Sequence, residues 1–203
     1  MFKIFRKKRL LILAAPTGCG KSTFKYAALS EQPPPLAEKI LVKAFSRNFS
    51  NIKPLRMRSL RKRFFKRKSF RKFIQNHDNF ILEMDTTCPR TVDNLILLPI
   101  FLREFHSVLS VQIYIPFDLW LVRIRDRQLN AFQTSRFVNQ ILRVHQSSER
   151  DVLEAENLYH RYYYNWEYYL NGLGVNNQLC ISTIDSSVLK KPFNKKREIW
   201  IFQ

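Results

Sequence analysis

The chain has 203 residues, of which 45% are hydrophobic and 25% are charged, values that are ordinary for a folded protein and exclude wholesale disorder. The length suits one domain with a buried core better than two domains. Thirty-five Lys and Arg residues face sixteen Asp and Glu residues, and the net charge is +19. A field of that sign attracts polyanions such as nucleic acids, anionic membrane surfaces, acidic glycans and nucleotides.

The cysteines and the N-terminal residues indicate a compartment. Cys19, Cys88 and Cys180 are isolated and odd in number, so they form neither a disulfide framework nor a zinc pattern, and a reducing interior suits them. Residues 1–9 are basic and residues 10–15 are apolar, but this apolar run is too short for a signal peptide. No stretch approaches transmembrane length, and we expect a cytoplasmic protein without a transmembrane segment.

Apolar runs that predict strands alternate with amphipathic runs that predict helices. Residues 10–15 are continuously apolar, as in a strand that is buried on both faces of a parallel sheet. Later strands are expected at residues 39–45, 79–85, 110–115 and 178–184. Helices are expected at residues 22–30, 91–105 and 119–129, followed by a polar helical stretch that ends near residue 171.

This alternation predicts an α/β fold. We expect a three-layer sandwich with a central, mostly parallel sheet of about five strands, helices on both faces and right-handed crossovers. The chain shows no internal repeat and no low-complexity linker, so we expect residues 1–203 to form a single domain. Within it we expect a basic insertion at about residues 53–74 and a helical lid at about residues 128–150.

A glycine-containing segment between the first strand and the first helix carries the chemistry. Residues 15–22 match the Walker A pattern G-x-x-x-x-G-K-[ST], except that Ala15 replaces the first glycine. Glycines let backbone N–H groups turn inward around phosphate oxygens, and the following helix presents its positive N-terminus to the same anion. We expect Lys21 to reach the β- and γ-phosphates and the Ser22 hydroxyl to ligate Mg²⁺. The pattern predicts a nucleoside triphosphate site, for ATP with Mg²⁺, formed by Thr17, Gly18, Cys19, Gly20, Lys21, Ser22 and Thr23.

The loop resembles that of the P-loop NTPases, and the chain is similar to the small kinases among them, which include shikimate-, gluconate-, nucleotide- and polynucleotide-kinase-like proteins. The resemblance rests on residues 15–22, on Asp85 after the third expected strand, and on residues 116–127. The last stretch, PFDLWLVRIRDR, looks like a strand end that leads into a helix with an R-x-x-x-R pair, where a mobile lid begins in these kinases.

Asp85 ends an apolar strand, and the resemblance implies that an acid there faces the phosphate loop. Its expected role is to hold Mg²⁺, directly or through water, or to accept the proton of an attacking hydroxyl. The alternative is a helix N-cap or turn acid. Glu83 lies on the same strand face as Asp85 and is a weaker second candidate.

Arg123 and Arg127 are four residues apart, so they share one face of the expected helix. In a lid these two side chains would neutralise the charge that develops on a transferred phosphoryl group. The alternative is that they pair with Asp118 and Asp126 on a solvated helix. Arg136 and Arg143 lie seven residues apart in the expected lid and are further candidates for the same side.

The kinase interpretation has one gap at the second strand. Many of the kinases that this chain resembles place an acid just after that strand to bind or deprotonate the acceptor. Residues 43–48 contain no carboxylate. Either Asp85 serves as the base, or the acceptor is bound differently, or transfer is not the activity.

A strongly basic segment follows at residues 53–72, with eleven Lys and Arg residues and no acid. It lies where the related kinases bind the acceptor, and it predicts contact with a polyanionic acceptor or partner such as a nucleic acid. The alternative is a solvated helix face. The interleaved Phe64, Phe65 and Phe70 are expected to pack inward, since phenylalanine at helical spacing is more often core than a stacking platform.

An aromatic helix precedes the last strand. Tyr159, Tyr162, Trp166 and Tyr169 recur at helical spacing and predict a face packed on the sheet, with a stacking site for a base or sugar as the alternative. His77, His106, His145 and His160 are scattered and show no metal-ligand spacing.

Three functions compete. The first is an ATP-dependent kinase that moves a phosphoryl group to a hydroxyl on a nucleic acid, nucleotide or sugar, with Lys21, Asp85, Arg123 and Arg127 as catalytic residues. The second is a nucleic-acid-binding NTPase or nucleotide-gated binding module, although Asp85 is followed by Thr86 rather than by a second acid. The third is a sulfotransferase-like protein, which ranks last because the Lys21-Ser22 pair favours a nucleoside triphosphate.

Overall fold

The computed structural model describes residues 7–46, 51–57, 60, 72–86, 96–130 and 149–189, without the side chains of residues 127–130 and 149–152. The strands are β1 (Arg9–Ala15), β2 (Ile52–Arg56), β3 (Asn79–Asp85), β4 (Ser107–Tyr114), β5 (Gln178–Ser182) and β6 (Ser187–Leu189). The helices are α1 (Lys21–Ala28), α2 (Pro35–Phe45), α3 (Leu98–Leu102), α4 (Phe117–Asn130) and α5 (Glu149–Gly172).

The strands form one sheet in the order β2-β3-β1-β4-β5-β6. Neighbouring strands from β2 to β5 are parallel, and β6 alone runs antiparallel to its neighbour β5. The predicted α/β fold with a mostly parallel central sheet is therefore confirmed. The added strand β6 has three residues and follows a tight turn with Ser186 at a φ of 53°, so it carries too little periodicity to be predicted.

Helices cover both faces of the sheet, and the alternation along β1 shows why. Leu11 and Leu13 belong to one buried cluster, to which α1, α2 and α4 contribute, while Leu10 and Ile12 belong to a second cluster, to which α3 contributes. Successive side chains of a strand point to opposite faces, so a strand that is apolar at every position needs cover on both.

The prediction of a strand at residues 39–45 is wrong, because these residues lie in α2. Pro34 precedes the helix and Pro35 occupies its first turn, where a missing N–H costs nothing. The apolar residues of α2 then recur at helical spacing: Leu36, Ala37, Ile40, Leu41 and Ala44 are buried. The second strand along the chain is instead β2, at the edge of the sheet.

Most other expected elements are present with shifted ends. Strand β3 has the predicted bounds, whereas β4 begins three residues earlier than expected, at Ser107, and α4 begins at Phe117. Of the helix expected at residues 91–105, the described residues contain α3, with Pro99 in its first turn. The lid expected at about residues 128–150 falls largely on residues 131–148, which lie outside the described residues.

No helix within the described residues combines the length and the apolar character needed to cross a membrane.

Leu11→Ala tests the assignment of β1 to the centre of the core. Leu11 is fully buried, so its truncation removes apolar contacts and leaves a cavity, and we expect a loss of about 2–5 kcal/mol in the free energy of unfolding, measured by urea denaturation. Val42→Ala on α2 is the control, because Val42 is 42% exposed and should change the free energy by about 0.5 kcal/mol at most. Equal effects of the two substitutions would contradict the assignment.

Candidate functional site

The loop at residues 16–20 lies where the order of the sheet changes direction. Strand β1 has β3 on one side and β4 on the other, so the chain crosses from one side of β1 to the other between these two strands. In open α/β sheets, ligands bind outside the carboxyl ends of the strands at such a crossing point. The loop follows the carboxyl end of β1, and the fold therefore presents it at the position where a ligand is expected.

The backbone of the loop requires its glycines. Gly18 has a φ of 95° and Gly20 a φ of 86°, in the left-handed region that other residues rarely adopt. Gly20 is the N-cap of α1, and no side chain in the described structure caps this end of the helix. The N-terminus of α1 thus has no side-chain cap, and the partial positive charge of its N–H groups favours an anion.

Helix α4 packs directly against this loop. The Trp120 indole donates a hydrogen bond from Nε1 to the Thr17 carbonyl oxygen at 2.8 Å. A Cβ atom at Gly18 would lie 2.8 Å from Cδ1 of Ile124, which is closer than real side chains approach one another. Glycine at position 18 is therefore required both by the backbone conformation and by the close packing of α4.

Lys21 folds back across the loop. Its Nζ donates hydrogen bonds to the carbonyl oxygens of Ala15 at 2.7 Å and Pro16 at 2.9 Å. The ammonium group thereby lies on the concave side of the loop, together with the N-terminus of α1. This is the place where a Walker A lysine would meet phosphate oxygens.

Two carboxylates from β3 reach the loop, and each contacts a different hydroxyl. The Ser22 hydroxyl donates to Oε2 of Glu83 at 2.8 Å, while the Thr17 hydroxyl donates to Oδ2 of Asp85. The sequence predicts that Asp85 holds Mg²⁺ together with Ser22, and that Glu83 is a weaker candidate for the role of Asp85. The structure places Glu83 beside Ser22 and Asp85 beside Thr17, so both acids belong to the site.

Glu83 remains ionised in this surrounding. Burial alone would raise the pKa of Glu83, but the hydrogen bonds from Lys25 and Ser22 and the charges of Lys25 and Arg56 hold that pKa below its ordinary value. Lys25 of α1 forms an ion pair with Oε1 of Glu83. The carboxylate is thus an acceptor at neutral pH.

The donor set fits Mg²⁺ bound together with a nucleotide. The described residues contain no group of three His, Cys, Asp or Glu side chains that would hold a metal by themselves. Magnesium is commonly bound by one or two carboxylates and a hydroxyl together with substrate phosphates rather than by a protein-only cage. Ser22 and Asp85, with Glu83 beside them, are the residues that would hold it, and the ion would supply neutralisation of phosphate charge.

The loop separates two cavities. The first, of about 480 Å³, is lined on α1 and α2 by Phe24, Ala27 and Leu36, on α4 by Arg123 and Asp126, and after β5 by Thr183 and Ser186. The second, of about 320 Å³, is lined by Lys21, Ser22, Arg56, Glu83 and Asp85. Both cavities share Gly18, Gly20 and Thr23, so a ligand held by the loop has space on either side.

Of the four arginines proposed from the sequence, the structure describes one at the site. Arg123 lines the first cavity, and its Nη1 would lie 3.8 Å from a Cβ atom at Gly20. Asp126 lines the same cavity and Asp118 is exposed. The side chain of Arg127 lies outside the description, as do Arg136 and Arg143.

Cys19 turns away from the ligand side of the loop. Its Sγ lies 3.5 Å from the Tyr159 hydroxyl and 3.3 Å from the Tyr163 hydroxyl, and burial raises the pKa of the thiol. The two tyrosines donate to the carbonyl oxygens of Ile115 and Ile113 at the end of β4. Cys19 therefore offers only its backbone to a ligand, while its side chain ties the loop to α5.

The aromatic face of α5 is a packing face, as the sequence predicts, but with a different set of residues. Tyr159, Tyr163 and Trp166 are buried, whereas Tyr162 and Tyr169 are partly buried at the edges of the two clusters. The sequence did not place Tyr163 on this face. Tyr162 and Tyr163 lie three and four residues after Tyr159, and both spacings put a residue on the same side of a helix as Tyr159.

Arg56 is one of the cations of the basic segment at residues 53–72 that the sequence predicts to contact a polyanion. It ends β2 in register with Glu83 of β3 and lines the second cavity. Because the sequence assigned the second strand to residues 39–45, it did not predict that Arg56 lies next to Glu83. Neither of the next described residues after β2, Met57 and Leu60, carries a carboxylate. The basic segment at residues 53–72 has eleven cations. The structure describes the side chains of three of them, Lys53, Arg56 and Lys72.

No family model and no curated protein matches this sequence. Among solved structures, one similar chain comes from the PezAT chromosomal toxin–antitoxin system of Streptococcus pneumoniae, with 15% identity and a TM-score of 0.46 over 92% of this chain and 72% of that one. Another is shikimate kinase from Acinetobacter baumannii in complex with shikimate, with 13% identity and a TM-score of 0.34 over 83% of this chain and 96% of that one. At these identities and TM-scores, the likenesses carry no conclusion about family or function.

Gly18→Ala tests the packing of α4 against the loop. The substitution adds a left-handed backbone penalty of about 1–2 kcal/mol and a collision with Ile124, so we expect a larger loss of unfolding free energy than for Gly174→Ala. Gly174 is the matched control, because its φ of 77° is also positive but a Cβ there meets nothing within 4 Å. Urea denaturation of both variants measures the difference, and equal losses would show that α4 does not constrain the loop.

Proposed function

We propose that this protein is a P-loop phosphotransferase that moves the γ-phosphoryl group of Mg-ATP to a hydroxyl acceptor. The observation that carries the proposal is the position of the loop between two cavities, of which one is lined by both apolar and polar side chains and the other contains two carboxylates and two cations. A nucleoside fits the first cavity, a triphosphate crosses the loop, and an acceptor fits the second. A site for hydrolysis alone would need no acceptor cavity.

The residues take the following roles in this proposal. Lys21 and the backbone N–H groups from Gly18 to Ser22 hold the phosphates, and Ser22 and Asp85 hold the Mg²⁺. The acceptor oxygen attacks the γ-phosphorus and forms the new P–O bond, while the bond from that phosphorus to the bridging oxygen breaks and ADP leaves. Asp85 accepts the proton of the attacking hydroxyl, and Arg123, with Arg127, stabilises the charge on the transferred group.

The acceptor is proposed to be anionic. Arg56 lines the second cavity beside Glu83 and Asp85. Its side chain is exposed, and a guanidinium can bind a phosphate or carboxylate through two parallel hydrogen bonds. Arg56 is itself part of the basic segment at residues 53–72. A phosphorylated sugar, a nucleotide or the end of a nucleic acid all have this chemistry.

A second candidate function is a nucleotide hydrolase or switch whose turnover depends on nucleic acid. It is favoured by the same basic segment and by the finding that Glu83 and Asp85 line one cavity, which supplies a pair of acids although no second acid follows Asp85 directly in the sequence. The sulfotransferase-like alternative ranks last, because the two carboxylates and the Ser22 hydroxyl beside the loop suit a metal-bound nucleoside triphosphate.

The proposal includes a cytoplasmic location. Cys19 and Cys180 are both free thiols, as a reducing compartment would keep them.

Lys21→Met tests phosphoryl transfer. The purified protein is incubated with Mg²⁺ and γ-labelled ATP, together with single-stranded DNA, RNA or a pool of phosphorylated metabolites, and the label is followed. We expect label on an acceptor, and a loss of about 100-fold or more in Lys21→Met because the charge on the transferred group is no longer neutralised. Lys39→Met is the matched control, since Lys39 is exposed on α2 and should leave transfer unchanged.

The other outcomes separate the candidates. Labelled free phosphate that appears only with nucleic acid would favour the hydrolase. Absence of ATP binding in the unmodified protein would contradict both functions.

Arg56→Gln tests the class of acceptor. Loss of a charge-assisted hydrogen bond is worth about 1.5–3 kcal/mol, so we expect the KM for a phosphate-bearing acceptor to rise at least about tenfold while the KM for ATP stays unchanged. The matched control is Arg103→Gln, because Arg103 lies beside a different cavity, near the start of β4. An unchanged acceptor KM would exclude Arg56 as the anion-binding residue.

A further inference from the structure

Both oxygens of the Glu83 carboxylate are engaged. Oε2 accepts the hydrogen bond of the Ser22 hydroxyl at 2.8 Å, and Oε1 is held by the ammonium group of Lys25. The side chains of Lys25 and Glu83 are only 5% and 10% exposed. Lysine is rarely this buried unless it is paired, and Lys25 lies outside the Walker A pattern, so the nucleotide motif does not account for it.

The three side chains meet because of where α1 crosses β3. Ser22 and Lys25 are three residues apart on α1 and therefore share one face of the helix. Glu83 shares the strand face of Ile81, which belongs to the buried cluster that α1 covers. The carboxylate thus lies between a hydroxyl at the start of α1 and an ammonium one turn further along.

The direction of the Ser22 hydrogen bond matters for metal binding. A serine hydroxyl has one proton to donate and two lone pairs with which to accept a hydrogen bond or bind a cation. When the proton is donated to Glu83, the lone pairs are available to a cation on the other side of the oxygen. If the carboxylate rotated away, the proton would be free to point at the metal position and compete with the ion.

We propose that Lys25 is a positioning residue, which holds Oε1 of Glu83 so that Oε2 orients the Ser22 hydroxyl with its oxygen towards the Mg²⁺ that accompanies the nucleotide. This inference rests on the proposed nucleotide-binding function. It assigns to Lys25 an indirect role, through Glu83, in the gain in nucleotide affinity that Mg²⁺ provides.

Lys25→Met tests the proposal through nucleotide affinity rather than through turnover. Binding of a fluorescent ATP analogue is titrated once in excess EDTA and once in excess Mg²⁺, and the ratio of the two Kd values gives the gain from Mg²⁺. Loss of an outer-shell partner of a metal ligand typically weakens metal affinity about 10- to 100-fold. We expect Lys25→Met to reduce the Mg²⁺ gain at least about tenfold while the Kd in EDTA stays within about twofold of the original.

Three further variants separate positioning from a structural role. Ser22→Ala removes the hydroxyl that would bind Mg²⁺. It should therefore show the largest reduction in the gain from Mg²⁺, against which the other variants are compared. Lys25→Arg keeps the cation and should restore most of the gain. The double variant Lys25→Met, Glu83→Gln leaves no unpaired buried charge, so it should fold even if Lys25→Met alone does not, and it should still lack the gain because the amide oxygen is no longer held.

The outcomes distinguish this inference from the function on which it rests. Equal weakening of binding in EDTA and in Mg²⁺ would show that Lys25 has only a structural role, and an unchanged ratio in both Lys25→Met and the double variant would overturn the proposal. Failure of the unmodified protein to bind the analogue at all would instead reject the proposed function and this inference with it.

Discussion

The structure depends on a single turn of backbone, the passage from β1 into α1 through two glycines with positive φ. Gly18 and Gly20 direct the chain so that the N–H groups at the start of α1 face outward at the carboxyl edge of the sheet. No side chain in the described structure caps that helix end, and unsatisfied N–H groups are favourable only where water or an anion meets them. The fold thus keeps an anion-binding position open at its centre, and the neighbouring elements are arranged around it.

The loop is held from three directions, and each contact uses different chemistry. Trp120 of α4 donates to the Thr17 carbonyl, the Cys19 side chain packs among tyrosine hydroxyls of α5, and the hydroxyls of Thr17 and Ser22 donate to acids of β3. A loop held in this way needs little reorganisation on binding, which lowers the entropic cost of association. The same contacts join the loop to α4, the helix that leads towards the expected lid. The Trp120 hydrogen bond therefore joins the loop directly to the helix that carries Arg123.

The parts that were predictable from the sequence are those determined by neighbours along the chain. The loop follows from the local spacing of Gly18, Gly20 and Lys21, and β3 follows from a continuous apolar run, so both were located correctly. The strand expected at residues 39–45 was wrong because three successive prolines suggest the end of a helix, whereas Pro34 and Pro35 begin α2. Lys25 could not be recognised, because its partner Glu83 lies 58 residues away along the chain and only the pairing of β1 with β3 brings them together. The position of Arg56 next to Glu83 was not predicted, because the second strand was misplaced.

The absence of an acid after β2 is less damaging to the kinase interpretation than the sequence alone suggested. Phosphoryl transfer passes through a loose transition state in which the enzyme mainly positions groups and neutralises charge, so a strong base at the acceptor is not the dominant requirement. The structure places Arg56, rather than a carboxylate, at the end of β2 and beside the second cavity. The buried ammonium of Lys25 neutralises the charge of Glu83. The second cavity then has two positive side chains, Lys21 and Arg56, and one remaining negative side chain, Asp85. This excess of positive charge disfavours a cationic acceptor and supports the proposal of an anionic one.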